Sequence, residues 1–420
     1  YIYNLLKLVP ITNMRKALIL LFVLKGFTVF SQLIDPFTIR YSTQQKGGIR
    51  FLANVAVSCD QSGATCANAA NDLPVTGNFP RDNNDFTQQY VDVDGVASTF
   101  MSTSDSLDLP TCSEILWAGL YWGARISSST SGYAIREKIK LSVDNGAYQN
   151  LVADELIDFT GTLSYFCFKD ITSIVQSNAI NARYTIADQI AQTGSSNRWG
   201  GWSIVIVYKN VLESMRNLTV FDGLANVSQF GSGTNVSQVD IPVSGFLTPI
   251  SGPVSFELGV IAYDGDRQQT GDELEFNGVG SYVNISDAIH NQTNVFNSTI
   301  SYDGTLTPHR IPSLNNTFGH DANIFLPNNS GFNYLPNNAT NGTIRVSTGG
   351  ETIITQVITS AIDVYEPDLR ATVYLDDING GQVVPGDTLE YTIVGKNIGS
   401  DPSINTFMTD TLDIRTEFVP

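Results

Sequence analysis

Apolar and polar positions alternate with a period of two over short runs, and clusters of Gly, Asn, Asp, Ser and Pro separate the runs, as in strands joined by turns. The clearest runs are Ile115–Trp122, Lys138–Val143, Trp202–Tyr208, Val254–Tyr263 and Thr352–Thr359. Ser203–Tyr208 is apolar on both faces, which predicts a strand sandwiched between two layers. One helical turn is expected over Asp170–Val175, with Asp170 placed to cap it. Many strands, long irregular loops and almost no helix predict an all-β chain: a large jelly-roll-like or Ig-like β-sandwich.

The stretch 367–420 has a pattern of its own. Ala371, Val373 and Leu375 alternate on one side of a Pro385-Gly386-Asp387 turn, and Leu389, Tyr391 and Ile393 on the other. This reads as the first part of an Ig-like sandwich, which needs roughly seven strands and about 100 residues. The expected organisation is therefore a head region at 32–365, open to division into two subdomains, a boundary at Tyr365–Asp368, and an incomplete Ig-like repeat at 366–420. On this reading the chain is a fragment of something longer. At the other end, Met14-Arg15-Lys16 gives a positive start, Ala17–Leu24 is an apolar run, and Val29-Phe30-Ser31 offers a cleavage site before Gln32. A signal peptide is expected at 14–31, with 1–13 not part of the gene product. Lys25 breaks the apolar run well short of the about 20 residues a membrane span needs, so no transmembrane span is expected in the mature chain.

Charge narrows the partners. With 41 acidic against 23 basic residues the net charge is −18, which repels nucleic acid and anionic membrane alike. The 42% hydrophobic content with only 15% charged residues describes a folded chain rather than a disordered one. Cys59, Cys66, Cys112 and Cys167 permit three pairings in an exported chain. The expected ones are Cys59–Cys66 across a small loop and Cys112–Cys167 between strands. No Cys-x-x-Cys pair points to zinc.

Two resemblances bear on function. Val384-Pro-Gly-Asp-Thr-Leu-Glu-Tyr-Thr-Ile393, Lys396-Asn-Ile-Gly-Ser400 and Thr409-Asp-Thr-Leu412 resemble a repeat domain of unknown function found, often in tandem, in large bacterial surface proteins. That resemblance implies an extracellular stalk or adhesive module without catalysis and further tandem repeats in cis; Asp387 and Asp410 are the matching acidic positions. Tyr90–Gly95, Ser98–Ser104, Leu116–Gly123, Arg198–Ser203, Arg216–Gly223 and Tyr263–Asp272 resemble the N-terminal region of long exported surface proteins of gliding Gram-negative bacteria. Such proteins commonly end in a type IX secretion sorting domain, and none is visible in this sequence.

Candidate chemistry centres on acidic turns. Asp92-Val-Asp94-Gly95 with Asp82, Asn83 and Asp85 nearby, Asp264-Gly-Asp266 with Asp272, and Asp376-Asp377-Ile-Asn379-Gly380 place hard oxygen ligands in turns, as calcium requires. Turns capped by their own Asp side chains are the plainer use of the same residues; the expectation carried forward is that at least one group binds Ca²⁺. Trp117, Tyr121 and Trp122, with Trp199 and Trp202, could line a sugar platform, although core packing suits them better. His290, His309 and His320 fit no zinc motif, and no nucleophile elbow occurs. Ten Asn-x-Ser/Thr sequons lie between Asn217 and Thr343 and read as Asn-rich loops whose side chains satisfy turn backbones. The combined expectation is an exported, non-catalytic surface or adhesion protein with an undefined protein or polysaccharide ligand. The alternative is a secreted carbohydrate-binding module or carbohydrate-active enzyme.

Overall fold

The computed structural model describes residues 30–72, 80–161, 163–228, 237–364, 369–397, 403 and 405–419. The expected signal segment, apart from Phe30 and Ser31, and the expected boundary at Tyr365–Asp368 lie outside the described residues. The chain is all-β, and its head is a stack of four β layers.

The first layer holds β4 (Ser102–Ser106), β10 (Arg183–Ala187), β6 (Lys138–Val143) and β7 (Gln149–Val152). The second holds β11 (Gly200–Lys209), β5 (Glu114–Arg125), β9 (Ser164–Asp170) and β8 (Glu155–Phe159). The third runs β12 (Met215–Ser228), β21 (Thr352–Asp363), β14 (Phe256–Tyr263), β19 (His320–Phe325), β17 (Ile300–Tyr302) and β18 (Thr305–Leu306). The fourth is β13 (Ser237–Ser244), β20 (Asn341–Thr348), β15 (Asp272–Asn277) and β16 (Val283–Asn284).

One strand joins the middle layers. β1 (Phe30–Val55) pairs with β12 through its first part, as far as Lys46 opposite Met215. From Gly47 to Val55 it pairs instead with β11. The corner falls on Gly47, whose φ of +151° and close approach to the Tyr208 carbonyl leave no room for a Cβ.

Burial follows the alternation. On β11, Trp202, Ile204, Ile206 and Tyr208 face the first layer, while Val205 and Val207 face the third. On β14, Leu258, Val260 and Ala262 face the fourth layer, while Ile261 and Tyr263 face the second. Both-face burial of Ser203–Tyr208 is thus as the sequence predicts, and each such side chain contributes on the order of 1.5–3 kcal/mol. The other predicted strands fall within β5, β6, β14 and β21, apart from Val254 and Ser255, which precede β14. The helical turn begins slightly late, as α2 (Thr172–Gln176) after α1 (Ala64–Ala70), with Asp170 accepting from the Thr172 N–H at 2.9 Å.

Two small ribbons complete the described strands. β2 (Val57–Cys59) pairs with β3 (Gln88–Tyr90) beside the Cys59–Cys66 disulfide. β22 (Leu369–Asp377) pairs with β23 (Leu389–Asn397), setting Val373 opposite Ile393 and Leu375 opposite Tyr391 on one face.

Candidate functional site

A cavity arises where three neighbouring strands lose register at one level. β1 slips against β12 between Asp35 and Thr38. β12 slips against β21 between Asp222 and Ala225, where Gly223 and Leu224 of β12 stand against Gln356 alone, and Gln356 is in turn the extra residue of β21 against β14. Bulges re-aim side chains and are common beside functional sites. Gly223 permits this one: a Cβ there would lie 2.7 Å from the Asp35 carbonyl oxygen and 2.8 Å from the Phe37 Cα.

The result is a cavity of about 450 Å³ between the second and third layers. Asp35 and Arg40 of β1, Asp222 of β12 and Glu155 of β8 supply its charges, and Phe166 and Phe168 of β9 its apolar wall. Arg40 spans it: Nε donates to Asp222 Oδ2 at 2.6 Å, Nη2 donates to Glu155 Oε2 at 2.8 Å, and the guanidinium lies 4.3 Å from the Phe168 ring centroid. The Tyr121 hydroxyl donates to Asp222 Oδ2 at 3.1 Å. Gln356 is fixed at both ends, donating to the Cys167 carbonyl at 3.1 Å and accepting from the Tyr263 hydroxyl at 3.0 Å. Burial pushes the Asp222 carboxyl up, although Arg40 works against this. Burial also drives the Tyr121 phenol well above its usual range. Of these charged residues only Asp222 lies in a motif that carries a resemblance, Arg216–Gly223, and there without an assigned role; bulges in β1 and β12, with the pairing of β8 on β9, bring the charges together.

The acidic turns separate into three places. Asp82, Asn83 and Asn84 lie not with Asp92 but against Asp264 and Asp266. Asn83 Nδ2 donates to Asp264 Oδ1 at 3.2 Å, Asn84 Nδ2 to Asp266 Oδ2 at 3.1 Å, and the Gln268 N–H to Asp82 Oδ1 at 2.8 Å. Glu351, absent from the sequence expectations, accepts from the Asp266 N–H at 3.0 Å, and Asp272 accepts from the Phe296 N–H at 2.7 Å. Asp321, on strand β19, accepts from the Thr299 N–H at 3.0 Å. Burial raises all of these carboxyls: Asp264 to about 6, Asp321 to about 8, Asp266 and Glu351 well above the ordinary range, and Asp272 upward. Burial also lowers the neighbouring Arg267 to about 10.

In the remaining acidic groups Asp92, Asp94, Asn379 and one oxygen of Asp377 are engaged by donors, whereas Asp377 Oδ2 has no hydrogen-bond partner among the described residues. Asp92 accepts from Ser102 Oγ at 2.7 Å, and Asp94 from the Val96 N–H at 2.8 Å, from Thr99 Oγ1 at 3.1 Å and from the Tyr148 hydroxyl. Asp377 accepts from the Asn379 N–H at 3.0 Å, and Asn379 from the Thr388 N–H at 2.7 Å, closing the β22–β23 tip beside Asp376. Among the described residues no three His, Cys, Asp or Glu side chains gather as a metal-ligand group.

Aromatic and histidine side chains are used inside the fold. Trp117 is 6% exposed, and Tyr121, Trp122, Trp199 and Trp202 are fully buried, so they form no sugar platform. His320 meets Ser203 Oγ and the Trp202 carbonyl, both at 3.2 Å, and burial pushes it down to about 4. His290 Nδ1 lies 2.7 Å from Asp287, whereas the exposed His309 is 3.9 Å from Asp108. Among the sequons, Asn217, Asn226 and Asn297 are buried, and Asn297 donates to the Ile289 carbonyl at 2.8 Å.

The cysteines divide. Cys59 and Cys66 form the expected disulfide, with Cα atoms 5.9 Å apart. The expected Cys112–Cys167 bond is absent, and both are free thiols. Register explains the correction: Cys167 pairs with Trp122 well along β5, whereas Cys112 precedes Glu114 at the start of that strand. Eight residues of strand span about 26 Å, far beyond the 7 Å limit between bonded Cα atoms.

No protein-family model matches the chain, and no curated protein matches it. Among solved structures, one described as the "Crystal Structure of the STIV MCP", a viral major capsid protein, aligns at 9% identity over 61% of this chain and 91% of that chain. Its TM-score of 0.17 carries no argument about fold or function.

Proposed function

We propose that this chain is an exported cell-surface structural or adhesion protein that works without catalysis. The observation that carries the reading is the Cys59–Cys66 disulfide, because such bonds persist in oxidising, extracytoplasmic compartments. A four-layer stack with interlocking cores suits a rigid head. The exposed β22–β23 ribbon, with Val373 and Leu375 each about half exposed, suits the start of an Ig-like repeat of the stalk type that the sequence resembles. Calcium stiffening belongs to the same proposal, with the buried carboxyls of Asp264, Asp266 and Asp272 its strongest location, although among the described residues they do not gather as a metal-ligand group and a cation there would compete with the protons that burial favours. The test is protease shaving of intact cells: digestion of this chain before lysis supports surface display, and digestion only after lysis counts against it.

A further inference from the structure

We propose that the cavity spanned by Arg40 binds a small organic cation, a primary ammonium on a short alkyl body. Its volume of about 450 Å³ lies in the range of small-molecule sites, roughly 300–1,000 Å³. Its charges do not balance: Asp35, Glu155 and Asp222 face the single guanidinium of Arg40. Asp222 and Glu155 are engaged by Arg40, but among the described residues the Asp35 carboxylate has no ion pair or side-chain hydrogen bond. An entering anion would meet this excess negative charge, whereas an ammonium would supply the missing partner for Asp35.

The chain itself illustrates the recognition. The Arg40 guanidinium sits between the Phe168 face and two carboxylates, the combination of π surface and negative charge that holds organic cations. Phe166 and Ile157 extend the apolar wall beyond it, which suits an alkyl body. A bare divalent ion fits less well, because the acidic side chains stand apart around the cavity and form no metal-ligand group. The walls are fixed in advance by the Gln356 and Tyr121 hydrogen bonds, which reduces the ordering cost of binding. This inference does not depend on export.

The experiment is calorimetric titration of the full chain with n-pentylamine, with 1-pentanol as the neutral isostere and glucose as a polyol. Saturable binding of one pentylamine per chain is expected, with no comparable heat from pentanol or glucose. Two rim variants follow. Asp35→Asn removes the unpaired charge, and Thr38→Arg adds a cation at an exposed mouth position; each should weaken pentylamine at least tenfold while leaving the melting temperature unchanged. Asp108→Asn, exposed and outside the cavity, should change neither quantity. No saturable binding of pentylamine overturns the proposal, as does equal binding of pentanol or glucose. Pentylamine binding that all three variants leave intact also overturns it, by reducing the effect to general attraction toward an acidic chain.

Discussion

Arg40 Nε donates to Asp222 Oδ2 at 2.6 Å across 182 residues of sequence. The bond ties the irregular part of β1 to β12 at the level where both strands slip register. Asp222 is 7% exposed, so removing Arg40 leaves a nearly buried carboxylate without its cation. Arg40→Ala is expected to cost about 1–3 kcal/mol, read as a lower urea midpoint at unchanged slope. Asp222→Asn should recover part of the loss in the Arg40→Ala background, because the unpaired charge is then gone. Additive losses would show that the two side chains act independently.

Gly223 offers a steric test of the same region. A methyl group there meets the Asp35 carbonyl and the Phe37 backbone, neither of which is the free end of a flexible side chain. Gly223→Ala should therefore destabilise by about 1–3 kcal/mol, the usual cost of overpacking. Gly95→Ala is the comparison: it has a positive φ but nothing within 4 Å of its Cβ position, so its cost should be backbone strain alone and smaller.

The buried carboxyls give stability an unusual slope with pH. Asp321, raised to about 8 by burial, holds its proton more tightly folded than unfolded, where the value is about 3.9. Its favourable contribution is complete below the unfolded value and is lost as pH rises toward 8. His320 works in the opposite sense: burial pushes it down to about 4, so stability falls as pH drops below about 6.5. Between about pH 6.5 and 8 only the raised carboxyls act, and the melting temperature should decline as pH rises. Asp321→Asn keeps the oxygen that accepts from Thr299 and should make that decline shallower. An unchanged slope in the variant would mean that Asp321 does not titrate there.

Calcium provides an independent measurement on the same group. Saturating Ca²⁺ in chelator-stripped protein should raise the melting temperature by binding only the folded state. Asp266→Asn should reduce that rise, whereas Asp376→Asn in the exposed ribbon should leave it intact. A melting temperature indifferent to calcium would assign all three acidic groups to turn formation.

How much of this was legible in the sequence depends on whether local pattern decided it. The strands were readable because burial follows a period of two: Trp202 to Tyr208 carries apolar residues on both faces and lies between two layers. Cys59–Cys66 was readable because a short loop brings the two together. Cys112–Cys167 was misjudged because the register of β5 on β9 was not available from composition. The Asp264–Asp266 turn was visible, but Asp82, Asp321 and Glu351 reach it through distant pairings. Arg40 and Glu155 carried no signal, and Asp222 entered only as part of the Arg216–Gly223 resemblance, because bulges in β1, β12 and β21 and the distant pairing of β8 on β9 build the cavity.

Export to an oxidising compartment is the central claim, and peptide mapping of the protein taken from its native cells under non-reducing, alkylating conditions tests it most directly. The account predicts a Cys59–Cys66 cross-linked peptide, alkylated Cys112, and a mature N-terminus at Gln32. Alkylated Cys59 and Cys66 on a chain that still carries Met14–Ser31 would contradict it.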